Sequence, residues 1–445
     1  MRLLRFLIPM ILLIFIMNAL CEDETADYWN KNGNKFENVD MYEEAIQCYD
    51  KALQIDPEYK YAWYNKGWVL YQLDMNEEAI KCYDKALQID TEYDHAWYNK
   101  GLALDQLGNY EEAIKCFDQA IRIDPTDADY WRKKGFSLYE LDRNEEAIRS
   151  FDKSIKIDPS QEKTWNEKGL ALKELERYEE AVSCYDRAIK IDSNDKYPWR
   201  NKGDVLSAMG KYDEAVQSYD QALKIDPQYK YAWRSKGNSF YDLGKYDESL
   251  DAFSKAIEID PKYIDGWNDK GRALAALGKH NEAIMAYDEA IRLDPEYRWA
   301  WRNKGSALID LGKYDEAVQT FDQALKIDPT YANDWINKGL ALYRMDNYDE
   351  AVQCYNQSLQ INPDNGLTWN NLGWALKGLN READAQKAFA RAETLGYAVK
   401  TDEIYTGSSL ISSVPESSSE QQSGLISSTG DGGKHSTGMF SSTPD

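Results

Sequence analysis

Apolar and aromatic positions in this chain recur with two nested periods. The long period is 34 residues: tryptophan stands at 29, 63, 97, 131, 165, 199, 233, 267, 301, 335 and 369, and a glycine follows each one four residues later, from Gly33 to Gly373. Counting onward from each tryptophan, position +7 is Leu or Phe (Phe36, Leu70, Leu104, Phe240, Leu376), position +16 is Ala except at Ser249, position +20 is always Tyr or Phe, and position +23 is Ala or Ser. The short period lies within each unit, where positions 0, +4 and +7, and again +16, +20 and +23, have the spacing of one face of an amphipathic helix. Each unit therefore predicts two helices, eleven times over. A fixed repeat of this length means an array or solenoid, although 445 residues alone would suggest two or three globular domains.

The breaks in the pattern predict where the helices stop. Near +11 stand Gly108, Gly210, Gly244, Gly278 and Gly312, or Asp or Glu in most other units, which suits a left-handed helix end. The second helix usually stops at an Ile-Asp-Pro such as Ile225-Asp226-Pro227, because proline disfavours helix in the residue before it. Thr91, Ser193 and Tyr397 replace that proline, and a looser turn is expected there. Glycine at +4 and alanine at +16 allow close approach of the two helices, with the tryptophan and the +20 aromatic expected to fill the space beside them. On that reading the loss of one tryptophan costs roughly 3–5 kcal/mol. The doublets Glu77-Glu78, Glu111-Glu112, Glu145-Glu146 and Glu179-Glu180 open second helices, where negative charge complements the helix dipole.

Trp, Gly, Leu, Ala, an aromatic, Ala and Pro, in this order and at this period, resemble the tetratricopeptide repeat family over roughly residues 26–399. The resemblance implies an all-α fold, a right-handed α-solenoid or superhelix of tandem antiparallel helix hairpins, and a scaffold for protein–protein interaction. One departure is consistent: the residue before the glycine, usually apolar in that family, is lysine in nine units from Lys66 to Lys338. Its stem is expected to cover the hairpin interface while its amine reaches water.

With 0, +4 and +7 committed to the core, the opposite stripe of each first helix comprises −2, +1, +5 and +8. In the tetratricopeptide family that stripe lines a concave groove that receives peptide segments. Carried onto this chain, the groove comprises Tyr61, Tyr64, Trp68, Tyr71, Tyr98, Arg132, Phe136, Tyr139, Arg200, Tyr231, Arg234, Tyr241, Arg272, Trp299 and Arg302. Aromatics and arginine are what binding hot spots favour. Across units four to nine the stripe holds Arg132, Lys163, Lys173, Arg200, Arg234, Arg272 and Arg302 against Asp129, Asp204 and Asp265. An acidic or carboxylate-terminated peptide partner is the expectation, since guanidinium forks pair bidentately with carboxylates. Some family members grip a carboxylate terminus with a set of Lys and Asn; Asn65, Asn99, Asn201 and Asn303 recur here without forming a clear three-repeat clamp.

Charge and composition narrow the partners further. The formal charge is −24; residues 1–21 hold Arg2 and Arg5 and no acid, so the remainder carries −26, which disfavours nucleic acid. Residues 1–21 read as a signal peptide or N-terminal anchor: two arginines, an apolar run from Phe6 to Met17 that is short for a membrane span, then Ala19 and Cys21 before Glu22. Cleavage and retention both remain open, so the localisation expected is secreted, surface or membrane-associated. Residues 22–399 form the eleven-repeat array, and 400–445 a Ser/Thr/Gly-rich tail with too few apolar residues to form a core.

His95, His280 and His435 have no partner at metal-ligand spacing, and Asp124, Asp127 and Asp129 lack the glycine and distal glutamate of a calcium loop. Neither a metal, a cofactor nor catalysis is expected. Cys48, Cys82, Cys116, Cys184 and Cys354 all stand at +19, and equivalent positions in neighbouring hairpins are too far apart for a disulfide, so unpaired thiols are expected. Asn356-Gln357-Ser358 is a formal glycosylation sequon with Ser358 on the core face. The leading reading is an exported, non-catalytic scaffold for extended peptide segments. Its rivals are a self-associating structural spacer and the regulatory arm of a multi-subunit enzyme.

Overall fold

The +16 alanines and +20 aromatics are where the helices meet. Ala45, Ala79 and Ala113 are completely buried, and so are Tyr49, Tyr83 and Phe117. A Cβ on Gly101 would lie 2.6 Å from Cε1 of Phe117, so only glycine admits that ring beneath the first helix. This packing recurs through a computed structural model that describes residues 25–397. Residues 1–21, read as a signal peptide or anchor, and the Ser/Thr/Gly-rich tail 400–445 lie outside those described residues.

Among the described residues there are 22 helices and no strand, paired as eleven hairpins. First helices are α1 (Ala26–Glu37), α3 (Lys60–Gln72), α5 (Asp94–Gln106), α7 (Ala128–Glu140), α9 (Glu162–Glu174), α11 (Lys196–Ala208), α13 (Lys230–Asp242), α15 (Ile264–Ala276), α17 (Arg298–Asp310), α19 (Ala332–Arg344) and α21 (Gly366–Gly378). Second helices are α2 (Tyr42–Ile55), α4 (Asn76–Ile89), α6 (Tyr110–Ile123), α8 (Asn144–Ile157), α10 (Tyr178–Ile191), α12 (Tyr212–Ile225), α14 (Tyr246–Ile259), α16 (His280–Leu293), α18 (Tyr314–Ile327), α20 (Tyr348–Ile361) and α22 (Glu382–Thr394). The chain divides between Ile259 and Asp260 into two compact bodies, repeats 1–7 and repeats 8–11. Within each body every second helix packs on the next first helix, and consecutive first helices also touch. No pair of consecutive second helices makes comparable contact among the described residues, so each body is an α-solenoid with its first helices drawn together.

Both kinds of helix end are built locally. Gly108, Gly210, Gly244, Gly278 and Gly312 take positive φ after the first helices, and Asp40, Asp74, Asp142, Glu176, Asp346 and Asn380 take the same conformation in the other repeats. After the second helices the determining residue is the aspartate and not the proline. Asp56 Oδ1 accepts the Glu58 N–H at 2.9 Å before Pro57, and Asp90 Oδ1 accepts the Glu92 N–H at 3.0 Å where Thr91 replaces proline. Asp192 does the same for Asn194 beside Ser193. The expected loosening at Thr91 and Ser193 is therefore absent, because the side-chain bond that shapes the turn is retained.

One further expectation is extended and one corrected. The tryptophans are half-buried and pack against the core clusters as expected, and they have a second role: Trp63 Nε1 donates to the Pro57 carbonyl at 2.9 Å, and Trp97 Nε1 to the Thr91 carbonyl at 3.0 Å, so these rings also brace the turn before their own repeats. The lysine before the glycine does not end in water. Lys66 Nζ pairs with Asp50 at 2.6 Å, Lys100 with Asp84 at 2.5 Å and Lys338 with Asp322 at 2.6 Å, each reaching the second helix of the preceding repeat. Such half-exposed pairs contribute about 0–1 kcal/mol each, but they recur along both bodies and fix the register of one hairpin on the next.

Three expectations about single residues hold. The five +19 cysteines are buried and unpaired. Asp124 shapes its turn by accepting from Thr126, Asp127 caps α7, and Asp129 pairs with Arg132. Ser358 of the sequon is fully buried.

Candidate functional site

The first-helix stripe falls on both bodies. In the first body, α3 and α5 bring the aromatic candidates together. Tyr61 is 46% exposed, with its ring edge on Tyr59 and Tyr93 at 5.6 and 6.1 Å between centroids. Tyr64 tilts against Tyr93 at 5.0 Å and against Tyr83 at 6.0 Å, and its hydroxyl accepts from Asn99 Nδ2 at 2.8 Å. Trp68 stacks on Tyr71 at 5.9 Å with 27° between planes. Tyr98 lies 4.8 Å from Tyr130. Further along, Phe136 carries the Lys133 ammonium at 5.6 Å, and Tyr139 packs on the core of repeats 4 and 5. Tyr231 meets Tyr229, and Tyr241 meets Tyr246 at 5.2 Å.

The arginines are not the unopposed positive charges that the sequence suggested. Arg132 bonds Asp129 at 3.2 Å and Glu167 at 3.1 Å, and Arg200 pairs with Asp204 at 2.9 Å. In the second body Arg272 pairs with Asp269 at 3.1 Å and Arg302 with Asp334 at 2.8 Å. The reason is positional: Glu167 and Asp269 stand at +2 and Asp334 at −1, outside the stripe on which charge was counted, yet they reach the guanidinium groups across one turn or one repeat. Arg234 is half-buried on α13.

Arg302 shows how completely such a group is enclosed. Its guanidinium lies 4.1 Å from the Trp299 ring centroid and 3.8 Å from that of Tyr331, with the fully buried Asp334 at its end. Burial holds the Asp334 carboxyl above the ordinary range even though Arg302 pulls it down. Trp299 and Arg302 thus form one packed unit.

Asn65, Asn99, Asn201 and Asn303 are likewise occupied. Asn65 Nδ2 donates to Asn30 and Asn34, Asn201 to Asn166 and Asn303 to Asn268, all at 2.9–3.0 Å, and with the Asn99–Tyr64 bond each joins a first helix to the one before it. Sequence reasoning missed these contacts, although the recurrence of Asn at +2 was a signal for them.

Carboxylates stand on the same face, of which sequence reasoning placed Asp105 and missed Glu37 and Glu140. Glu37, Asp105 and Glu140 close first helices of the first body. Tyr49 donates to Glu37 at 2.7 Å and Ser137 to Asp105 at 2.5 Å, while Tyr110 lies 3.5 Å from Glu140. Burial raises all three, Glu140 to about 7, with Asp105 adding to the shift at Glu140.

Family models described as tetratricopeptide repeat match residues 61–93, 95–127 and 332–365, 200–264 and 268–332, 160–228, 128–161 and 354–387. A model described as TPR repeat matches 41–74. A search of curated proteins found no match. Among solved structures, yeast Tom70 is 16% identical with a TM-score of 0.43, covering 85% of this chain and 93% of that one. YrrB, described as a TPR protein with an unusual peptide-binding site, is 26% identical with a TM-score of 0.36, covering 42% and 96%. MamA is 23% identical with a TM-score of 0.35, covering 36% and 94%. Taken together, the matched residues run almost without interruption from 41 to 387, on hairpins that repeat every 34 residues, and the chain belongs to the tetratricopeptide repeat family.

Proposed function

We propose that this protein is a non-catalytic scaffold that holds an extended segment of a partner protein against its first-helix face, outside the cytoplasm. The supporting observation is the run of partly exposed aromatics on three consecutive first helices, from Tyr61 and Trp68 on α3 through Tyr98 on α5 to Phe136 and Tyr139 on α7. Rigid amphipathic rings held by their own neighbours lose little entropy when a segment is laid across them. Internal pairing of Arg132, Arg200, Arg272 and Arg302 removes a general preference for acidic segments from this reading. Export rests on the pattern of residues 1–21 and is tested by the N-terminus of the mature protein, expected near Glu22.

Photo-crosslinkers placed at Tyr61, Phe136 and Tyr241 should capture a partner that crosslinkers at Lys81 and Lys115, exposed on second helices, do not. Capture only from the second-helix positions, or crosslinks only to further copies of this chain, would replace the peptide-binding reading with that of a self-associating spacer.

A further inference from the structure

We infer that the face formed by α1, α3 and α5 recognises a primary ammonium group, a lysine side chain of the bound segment, between the Glu37 carboxylate and the rings of Tyr64, Trp68 and Tyr71. The inference rests on the segment-binding reading and gives that segment a chemistry. Glu37 ends α1, which touches α3 directly. It accepts from Tyr49 Oη at 2.7 Å, and among the described residues no Lys, Arg or His pairs with it.

In the arginine-bearing repeats carboxylates are matched by the protein's own cations, as at Asp129, Asp204 and Asp334. Here the complementary charge is missing, Trp68 and Tyr64 are neighbours of the carboxylate, and Tyr71 stacks on Trp68. Carboxylate plus stacked aromatic faces is the chemistry that holds an ammonium ion, by charge and by the ring quadrupoles together.

A second observation points into the same place. Tyr83 is fully buried, and its hydroxyl has no hydrogen-bond partner among the described residues. Its ring lies 6.0 Å from that of Tyr64, with Tyr71 and Glu37 also among its neighbours, so this unsatisfied oxygen lies beside the same cluster. An unpaired buried hydroxyl is costly, and an ammonium group brings three donors to share among Glu37, Tyr83 and Tyr64. Burial holds the Glu37 carboxyl above its usual range despite the hydrogen bond from Tyr49 and the neighbouring Trp68 indole, the state expected of an acid whose counter-charge arrives with a ligand. Asp105, two repeats along the same face, extends the negative character toward the next lysine of a segment.

The test uses the full chain at physiological salt and a fluorescent dodecapeptide of alternating lysine and alanine, beside the same peptide with acetyl-lysine. The lysine peptide should bind, the acetylated one about ten-fold more weakly, and Glu37→Gln and Trp68→Leu should each weaken the lysine peptide by roughly ten-fold. Glu77→Gln, an equal change of charge on an exposed second-helix residue, should leave it unaltered, and circular dichroism melts establish that each variant is folded. An equal loss in Glu37→Gln and Glu77→Gln would show diffuse attraction to an acidic protein and overturn the inference, as would no binding of the lysine peptide. Equal affinity for both peptides would overturn cation recognition and leave segment binding standing, whereas crosslinks confined to second helices would remove the segment-binding reading itself.

Discussion

Glu162 occupies a position at which other repeats place a cation. Lys60 and Lys196 pair with Asp90 and Asp226 at 2.6 Å, reaching from the start of one first helix to the aspartate of the next turn, and Arg298 does so with Asp328. Glu162 instead meets Asp195, Asp192 and Glu167, with Lys163 as the opposing charge, and burial together with these acids pushes it up to about 8. Because this folded-state value lies above the unfolded one, Glu162 contributes stability at low pH that is lost as pH rises through about 8. Melting temperature should therefore fall by a few degrees between pH 6 and pH 9, and Glu162→Lys should remove part of that fall and add about 1 kcal/mol through a new pair with Asp192. Glu140 titrates in the same direction near 7, so the difference between variant and parent curves isolates Glu162; parallel curves would count against this account. The tryptophans offer a second check at this scale. Trp165 Nε1 donates to the Pro159 carbonyl at 3.1 Å and its ring carries Lys168 at 6.0 Å, so Trp165→Phe should cost about 1 kcal/mol in chemical denaturation, well short of the cost of emptying a core site.

At the scale of the helix and its turn, the aspartate and the proline can be separated. The Thr91 N–H makes no backbone bond, while its carbonyl still receives Trp97, so Thr91→Pro should be accommodated and stabilise by about 0.5 kcal/mol. Asp90→Ala removes both the bond to Glu92 and the partner of Lys60, and should cost about 1–2 kcal/mol. If the proline substitution were the more damaging of the two, the turn would depend on something other than the aspartate. The helix pairs, their left-handed ends and the small residues beneath each +20 ring were legible because each depends on residues of one repeat read at one period. What was not legible depends on residues that lie in different repeats. Lys66 finds Asp50 sixteen positions earlier, Asn201 finds Asn166 thirty-five earlier, and Arg302 finds Asp334 thirty-two later, and no periodicity within a helix predicts which of several carboxylates a long side chain reaches. The candidate surface was legible in its aromatics and misread in its charge for that reason. Glu37, which carries the lysine inference, stands at +8 of repeat 1, on the stripe itself but outside units four to nine, over which the charge was balanced.

At the scale of the whole molecule, substantial helix contacts among the described residues join helices one or two places apart in the chain, in the first body and in the second alike. A chain built this way should not unfold as one cooperative unit; its stability is a sum of repeats and of the contacts between neighbours. A Cβ on Gly135 would lie 2.7 Å from Cε1 of the fully buried Phe151, so Gly135→Val cannot be relieved by moving a surface side chain. The overpacking should lower local opening free energies by roughly 1–3 kcal/mol. Hydrogen exchange would then speed up in α6 to α9, fall back to the parent rate by α2, and stay at the parent rate in α19 to α22. Uniform acceleration from α1 to α22 would instead mean that the two bodies share one cooperative transition. The local outcome also bears on function, because a scaffold whose repeats open independently can keep the α1–α3–α5 face assembled on its partner while a distant hairpin frays, and binding of the lysine peptide by Gly135→Val should then remain within about two-fold of the parent.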